Sequence, residues 1–386
     1  MANQDYASPS LAAILHGAYV RTWPERYELL DGLRGLACVG VLLHHLGVVG
    51  FGHYCVMIFF VISGYCITAS AQSGLRRGTS FGIFMMRRVR RIYPPYLLAI
   101  AFFALTRLIK STLDGSSVWR PAWSDWLQNL TLTQWLSVPF QSIALPGDNP
   151  KLFVSAFWSL NYEEQFYLIM GIALLVAGRF GIRLARSVLA LLVVGLAWNV
   201  ARPGSISGFF LDYWVHFALG SCLYFVLCGP PRLSRFAAFL AGMLLLGIFS
   251  TSRLLPWQGS ETETAQRVYV ELAVLSAMAV MLLLVRPFSE IVSRNVLWKP
   301  VAAIGAISYS LYLVHQFNLT LVSTIVAGIV PHAMPAGVVT AVKVLIHLCI
   351  GAAFWYVCER PFLSRKPLSH ETAVPVSVAH MPKTLV

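Results

Sequence analysis

The chain has 386 residues, of which 57% are hydrophobic and 12% charged. Soluble domains carry about 25% charged residues, so this composition excludes a soluble globule of this size, and its apolar content excludes a disordered chain. The net charge of +13 raises nucleic-acid binding, but polytopic membrane proteins gather Lys and Arg on their cytoplasmic loops, and that class accounts for both numbers without nucleic acid.

Residues 1–28 are polar and mixed and lack the pattern of a signal peptide; they read as a cytoplasmic N-terminal tail. Ten apolar segments follow, at about 30–49, 53–72, 93–112, 152–177, 187–202, 209–228, 235–251, 268–285, 302–329 and 336–358. The expected fold is an all-α bundle of about ten transmembrane helices within a domain over 29–362, followed by a disordered cytoplasmic tail over 363–386. With the N-terminus inside, 21 of the 29 Lys and Arg residues fall on the cytoplasmic side and 7 outside, Lys343 lying within the last segment. That excess places both termini in the cytoplasm and the chain in a plasma membrane, that of the bacterial inner membrane. The seven cysteines lie in or beside apolar segments with no CxxC spacing; they read as small buried hydrophobes rather than metal ligands or a disulfide framework.

Ionisable groups inside a bilayer are costly and usually functional. The first segment, LLDGLRGLACVGVLLHH, places Asp31, Arg34 and His45 on nearly one helical face, with Arg34 and His45 about 16 Å apart along the axis. His44 points about 100° away. The third segment is preceded by RRVRRIYPPY, in which Arg87, Arg88, Arg90 and Arg91 abut Tyr93 and a double proline expected to fix the start of the span. These arginines read either as ordinary positive-inside anchors or as forks for the phosphates of an anionic co-substrate. The longest outside connector, about 113–151, carries Trp119, Trp123, Trp126 and Trp135; it reads as an interfacial anchor or a lid over an outward-facing site. The fourth segment contains FWSLNYEEQFYLIM, which carries Ser159 and would place Glu163 and Glu164 about 14–16 Å deep if its helix starts near Leu152. The ninth contains ISYSLYLVHQ, with Ser308, Tyr309, Ser310, Tyr312 and, at a depth like that of His45, His315.

Six blocks in order, LLDGLRGLACVGVLLHH, FFVISGYCI, RRVRRIYPPY, WSLNYEEQFYLI, ISYSLYLVH and YVCERPF, resemble acyltransferase family 3, the integral-membrane O-acyltransferases of carbohydrates and some macrolides. The resemblance spans about 28–362. It implies a ten-helix bundle that takes acyl-CoA, acetyl-CoA first among such donors, as a co-substrate from the cytosol, with no permanently bound cofactor. The family's Arg–ten residues–His pattern falls on Arg34 and His45, its Arg-x-x-Arg pattern on Arg88 and Arg91, and its WSLxxEEQFYL block on Trp158 to Leu168. Asn161-Tyr162 departs from the more usual Ser-Val and bears on acceptor fit. Many relatives carry a further esterase-like domain, for which this chain is expected to stop too soon.

The mechanism expected on this basis has Arg88 and Arg91, with Arg87 and Tyr93 beside them, holding the donor at the cytoplasmic mouth. His45 is the general base on an acceptor hydroxyl, and Glu164 orients it or polarises nearby groups. Arg34 steers the donor or stabilises the oxyanion; Asp31, Glu163, Ser159, His315 and Tyr309 support the site. The acceptor partner is a glycan, a lipid-linked sugar or a macrolide-type molecule. The rival class is a transporter or proton-coupled carrier built on the same buried His, Arg and Glu; a third is a catalytically silent sensor or scaffold.

Overall fold

The computed structural model describes residues 29–113, 119–134, 152–201, 210–254, 261–331 and 333–363. The tails expected at 1–28 and 363–386 lie outside the described residues, apart from Leu363. All regular structure among the described residues is helical: α1 (Leu29–His45), α2 (Gly52–Arg76), α3 (Phe81–Leu113), α4 (Trp123–Thr131), α5 (Trp158–Phe180), α6 (Leu184–Ala201), α7 (Trp214–Cys228), α8 (Pro231–Leu254), α9 (Glu261–Val285), α10 (Ser289–Arg294), α11 (Trp298–Ile329) and α12 (Ala336–Phe354). A helix lies over each of the ten apolar segments. Among the described residues, five are fit by length and composition to cross a membrane: Gly52–Arg76, Phe81–Thr112, Tyr269–Phe288, Trp298–Ile329 and Ala336–Phe362. Their outward faces leave Leu105, Leu108, Leu284 and Leu345 exposed, as suits a lipid solvent in which only the backbone must be satisfied internally.

Two boundaries differ from expectation, and both move site residues. α3 begins at Phe81, twelve residues before the predicted segment, and runs through Pro94 and Pro95. The prolines remove two intrahelical donors, yet the helix continues through them; just before them the Tyr309 hydroxyl donates to the Ile92 carbonyl at 2.9 Å. The arginine cluster therefore rides on the helix instead of ending a connector. α5 begins at Trp158 after a 3₁₀ turn over Ser155–Phe157, six residues later than the start near Leu152 read from the sequence, so Glu163 lies about 8 Å from the helix start. The C-terminal end of α5 is closed by Gly181 in the left-handed region, φ 64°, where only glycine sits without strain. Cysteine burial also departs from expectation at three positions, since Cys66 and Cys228 are only partly buried and Cys349 is exposed.

Close backbone approach sets the helix pairs that carry the site. A side chain on Gly305 of α11 would overlap the Asp31 carbonyl of α1, and one on Gly35 would overlap the Val301 carbonyl. Gly64 of α2 and Gly220 of α7 make a second such crossing, against the Phe217 and Val61 carbonyls. Small residues at such seams are how helices pack where lipid supplies no hydrophobic drive. Gly305→Ala is accordingly expected to destabilise the protein by about 1–3 kcal/mol through overpacking, read as a lower thermal midpoint in detergent. Gly328→Ala on the same helix, with open space around it, is the matched control and should leave the midpoint unchanged or raised.

Candidate functional site

A cavity of about 280 Å³ lies between α1, α2, α3, α5, α11 and the turn that follows α12. Five charged side chains line it: Asp31, Arg34, Arg91, Glu163 and Glu359. The three carboxylates each have a partner. Asp31 pairs with Arg34 at 3.6 Å. Glu163 accepts from Ser63 at 3.0 Å and from Tyr167 at 2.6 Å. Glu359, buried in a π-helical turn, accepts from Ser310 at 2.5 Å. Arg34 also reaches the Cys66 Sγ at 3.8 Å.

Arg91 stands apart. It lines the cavity with more than a third of its surface open, and Tyr167, Glu359 and Glu163 are its ionisable neighbours. Among the described residues no carboxylate lies within ion-pair distance of it. Asp31 and Arg34 pair with each other, which leaves Arg91 as the cavity's guanidinium without an ion-pair partner among the described residues, and a guanidinium presents a planar fork to carboxylate or phosphate oxygens.

At the other end of α1, the His45 and His315 rings meet, with His45 Nδ1 3.2 Å from His315 Nε2 and centroids 4.9 Å apart. Backbone carbonyls fix which nitrogens carry protons. His315 Nδ1 lies 2.8 Å from the Tyr312 carbonyl and His45 Nδ1 lies 3.0 Å from the Val41 carbonyl. A carbonyl can only accept, so both Nδ1 atoms donate; His315 Nε2 is then an acceptor, and it receives the His45 Nδ1–H. His45 Nε2 is left with a lone pair on a half-buried ring, the arrangement a general base requires. Tyr312, whose ring lies 5.7 Å from that of His315, also lines the cavity, and its hydroxyl is held there. It donates to the Ala156 carbonyl and receives the Ser159 hydroxyl at 2.7 Å. His44 is exposed, with its Nδ1 3.0 Å from the Val49 carbonyl, and its ring meets the His45 ring edge-on at 5.4 Å.

The other expected residues separate into two groups. Tyr309 and Ser159 line the cavity. Glu164 does not meet His45. It accepts from Tyr93, whose hydroxyl also lies 3.0 Å from the Thr131 carbonyl, so the two tie α5 to α3 and to α4. Arg88 donates to Ser70 and lies over the rings of Phe84 and Tyr167, at 5.4 and 5.7 Å. Arg87 and Arg90 are exposed and do not line the cavity. Of the arginine cluster, only Arg91 lines the cavity. Tyr93→Phe should therefore leave a buried carboxylate under-satisfied and cost about 1–3 kcal/mol of stability. Thermal unfolding should record that loss while donor affinity stays unchanged.

Several contributors escaped the sequence reading. Glu359 lies in the closing YVCERPF block, which carried the resemblance but drew no role. Ser63 and Tyr167 likewise lie in the FFVISGYCI and WSLNYEEQFYLI blocks and drew no role; the spacing of Tyr167 four residues after Glu163 places the two on one face.

A protein-family description, acyltransferase domain, matches residues 27–360. A protein of Komagataeibacter xylinus named as a membrane-bound transacylase, BcsY, is 28% identical over 375 residues, 90% of this chain and 84% of that protein. The peptidoglycan O-acetyltransferase OatA of Listeria monocytogenes is 32% identical over 160 residues, 38% of this chain and 24% of that protein. The O-acetyltransferase OatA of Staphylococcus aureus is 26% identical over 314 residues, 74% of this chain and 49% of that protein. This chain thus spans most of the first relative and half or less of the other two. No solved structure matches it.

Proposed function

The chain belongs to acyltransferase family 3, and from that premise we propose that this acyl-transferring, multi-pass membrane enzyme moves an acetyl group from cytosolic acetyl-CoA to a glycan hydroxyl. The observation that carries the donor assignment is Arg91: a guanidinium held in an internal cavity, with no carboxylate at ion-pair distance among the described residues. It is the natural seat for a phosphate of the donor. Arg34, on the same cavity but about 16 Å along α1 from His45, acts on the donor rather than on the reacting carbonyl. The uncharged pantetheine arm runs from there past Tyr309 and Tyr312 toward the histidine pair.

The transfer step balances without a further reactant. His45 Nε2 takes the proton of the acceptor hydroxyl as its oxygen attacks the thioester carbonyl. The tetrahedral intermediate collapses, the C–S bond breaks, and the leaving thiolate recovers that proton from the imidazolium. His315 and the Val41 carbonyl hold the His45 ring through the Nδ1–H and stabilise its transient positive charge. This reading takes all ten helices as spans and both termini as cytoplasmic, supported by the 21-to-7 distribution of basic residues, in a bacterial inner membrane. A glycan acceptor is supported by the names of the O-acetyltransferase relatives.

Mass spectrometry of surface glycans and small metabolites from cells with and without the gene tests the proposal. The expected result is a species heavier by one acetyl group, absent when His45→Ala replaces the wild type. Identical spectra, with the protein shown to be present in the membrane, would refute it.

A further inference from the structure

A second cavity, of about 500 Å³, opens at the far end of α3. Its walls include Phe103, Arg107, Trp119, Arg120, Asp125 and Phe153. Arg107 follows Arg91 by sixteen residues on one helix, so the two guanidinium groups are rooted about 24 Å apart along its axis. The cavity therefore sits at the end of the bundle opposite the donor seat. That end is also the one carrying the histidine pair. Phe317, two residues beyond His315, meets the Phe103 ring at 6.1 Å. Gln316 accepts from the Ala156 N–H at 2.7 Å and donates to the Ser155 hydroxyl at 2.6 Å. These contacts bind the cavity's α5-side wall to the α11 turn that presents His315.

The chemistry of the walls is specific. Trp119 packs edge-on against Phe153 at 4.9 Å, and Trp126 does so at 4.8 Å. Trp123 behaves differently: 89% exposed, it fits the expected interfacial anchor, whereas Trp119 turns in to the cavity. Arg107 and Arg120 are both exposed, and no described carboxylate lies at ion-pair distance from either. Asp125 is already engaged, its Oδ2 accepting the Ala122 N–H at 3.1 Å. Two uncommitted guanidinium forks beside aromatic rings match a ligand that combines a sugar-like C–H face with a carboxylate or phosphate.

Resting on the acceptor side of the function proposed above, we infer that this cavity is a recognition subsite for an acidic saccharide, with Arg107 and Arg120 gripping its anionic group and Trp119 stacking on its ring. A phosphate of that kind can belong to a free acceptor or to an anionic lipid headgroup, and the test separates these sources.

The probes are p-nitrophenyl β-glucuronide and p-nitrophenyl β-glucoside, matched apart from the carboxylate. Binding is read by quenching of tryptophan fluorescence, with the full chain in phosphatidylcholine nanodiscs. The glucuronide should bind at least about tenfold more tightly than the glucoside, as one charge-assisted contact permits. Arg107→Gln with Arg120→Gln should bring the two probes within about twofold, while Arg107→Lys with Arg120→Lys retains part of the difference and shows that the fold survives. Adding phosphatidylglycerol should leave the preference intact. Equal affinity of the wild type for both probes would overturn the inference. So would loss of glucuronide binding on adding phosphatidylglycerol, together with retention of that lipid by the wild type but not the double variant, since the headgroup would then be the occupant. Thiol release from acetyl-CoA, measured alongside, reports on the transferase reading alone and should show an unchanged donor KM in the double variant.

Discussion

His45→Ala is expected to lower acyl transfer by about 10²- to 10⁴-fold, the usual contribution of a positioned general base, with the protein still folded. The size follows from the proton inventory of the pair. Both Nδ1 atoms face backbone carbonyls, and His315 Nε2 is turned to His45. In this pair His45 Nε2 alone is left to receive the acceptor's proton. His45→Gln should fail nearly as badly, since an amide oxygen accepts a hydrogen bond but does not take up a proton at neutral pH. His315→Ala should cost less, about tenfold, because the Val41 carbonyl still holds the His45 Nδ1–H and fixes the ring's tautomer. Initial-rate measurements on the four proteins, with thermal unfolding as the folding control, check the ranking. A His315 variant more damaged than both His45 variants would reverse the assignment.

Arg91→Gln should raise the KM for acyl-CoA by about 10- to 100-fold, corresponding to the loss of a hydrogen-bonded charge worth about 1.5–3 kcal/mol. kcat should fall far less, because the thioester reacts at the opposite end of α1. Arg91→Lys should recover part of the affinity, keeping the charge but not the planar fork. Arg90→Gln, one residue away, exposed and not lining the cavity, removes the same charge and should change KM by no more than about twofold. This contrast separates a seat for the donor from a general attraction of anions to the basic end of the helix, which would weaken donor binding equally in both variants.

Much of the helical arrangement was legible in the chain because long apolar runs mark helices, and a helix lies over each of the ten apolar segments, five of those described being long and apolar enough to cross a membrane. What misled was local chemistry. The double proline at Pro94-Pro95 reads as a helix start, yet α3 passes through it, and the Tyr309 hydroxyl that meets α3 just before it, at the Ile92 carbonyl, comes from 217 positions away in sequence. The site was legible in its parts and not in its pairings. Arg34 and His45 share a face by simple helical arithmetic, but the meeting of His45 with His315 depends on how α1 and α11 cross at Gly35 and Gly305, and nothing near either histidine encodes that. Glu163 and Glu164 differ by about 100° of helix rotation, and no local pattern tells which faces the cavity. The structure turns Glu163 inward and gives Glu164 to Tyr93. Within RRVRR, the same rotation separates Arg91, which lines the cavity, from Arg90, which does not.

The most direct test of the central claim is release of free CoA thiol by the purified protein, supplied with acetyl-CoA and an unmodified glycan fraction, comparing wild type with His45→Ala and Arg91→Gln. The account predicts thiol release matched mole for mole by acetyl groups on the glycan. It also predicts near-abolition in the His45 variant at every donor concentration, and rescue of the Arg91 variant as the donor is raised. Full thiol release and acetyl transfer by a folded His45→Ala protein would contradict it.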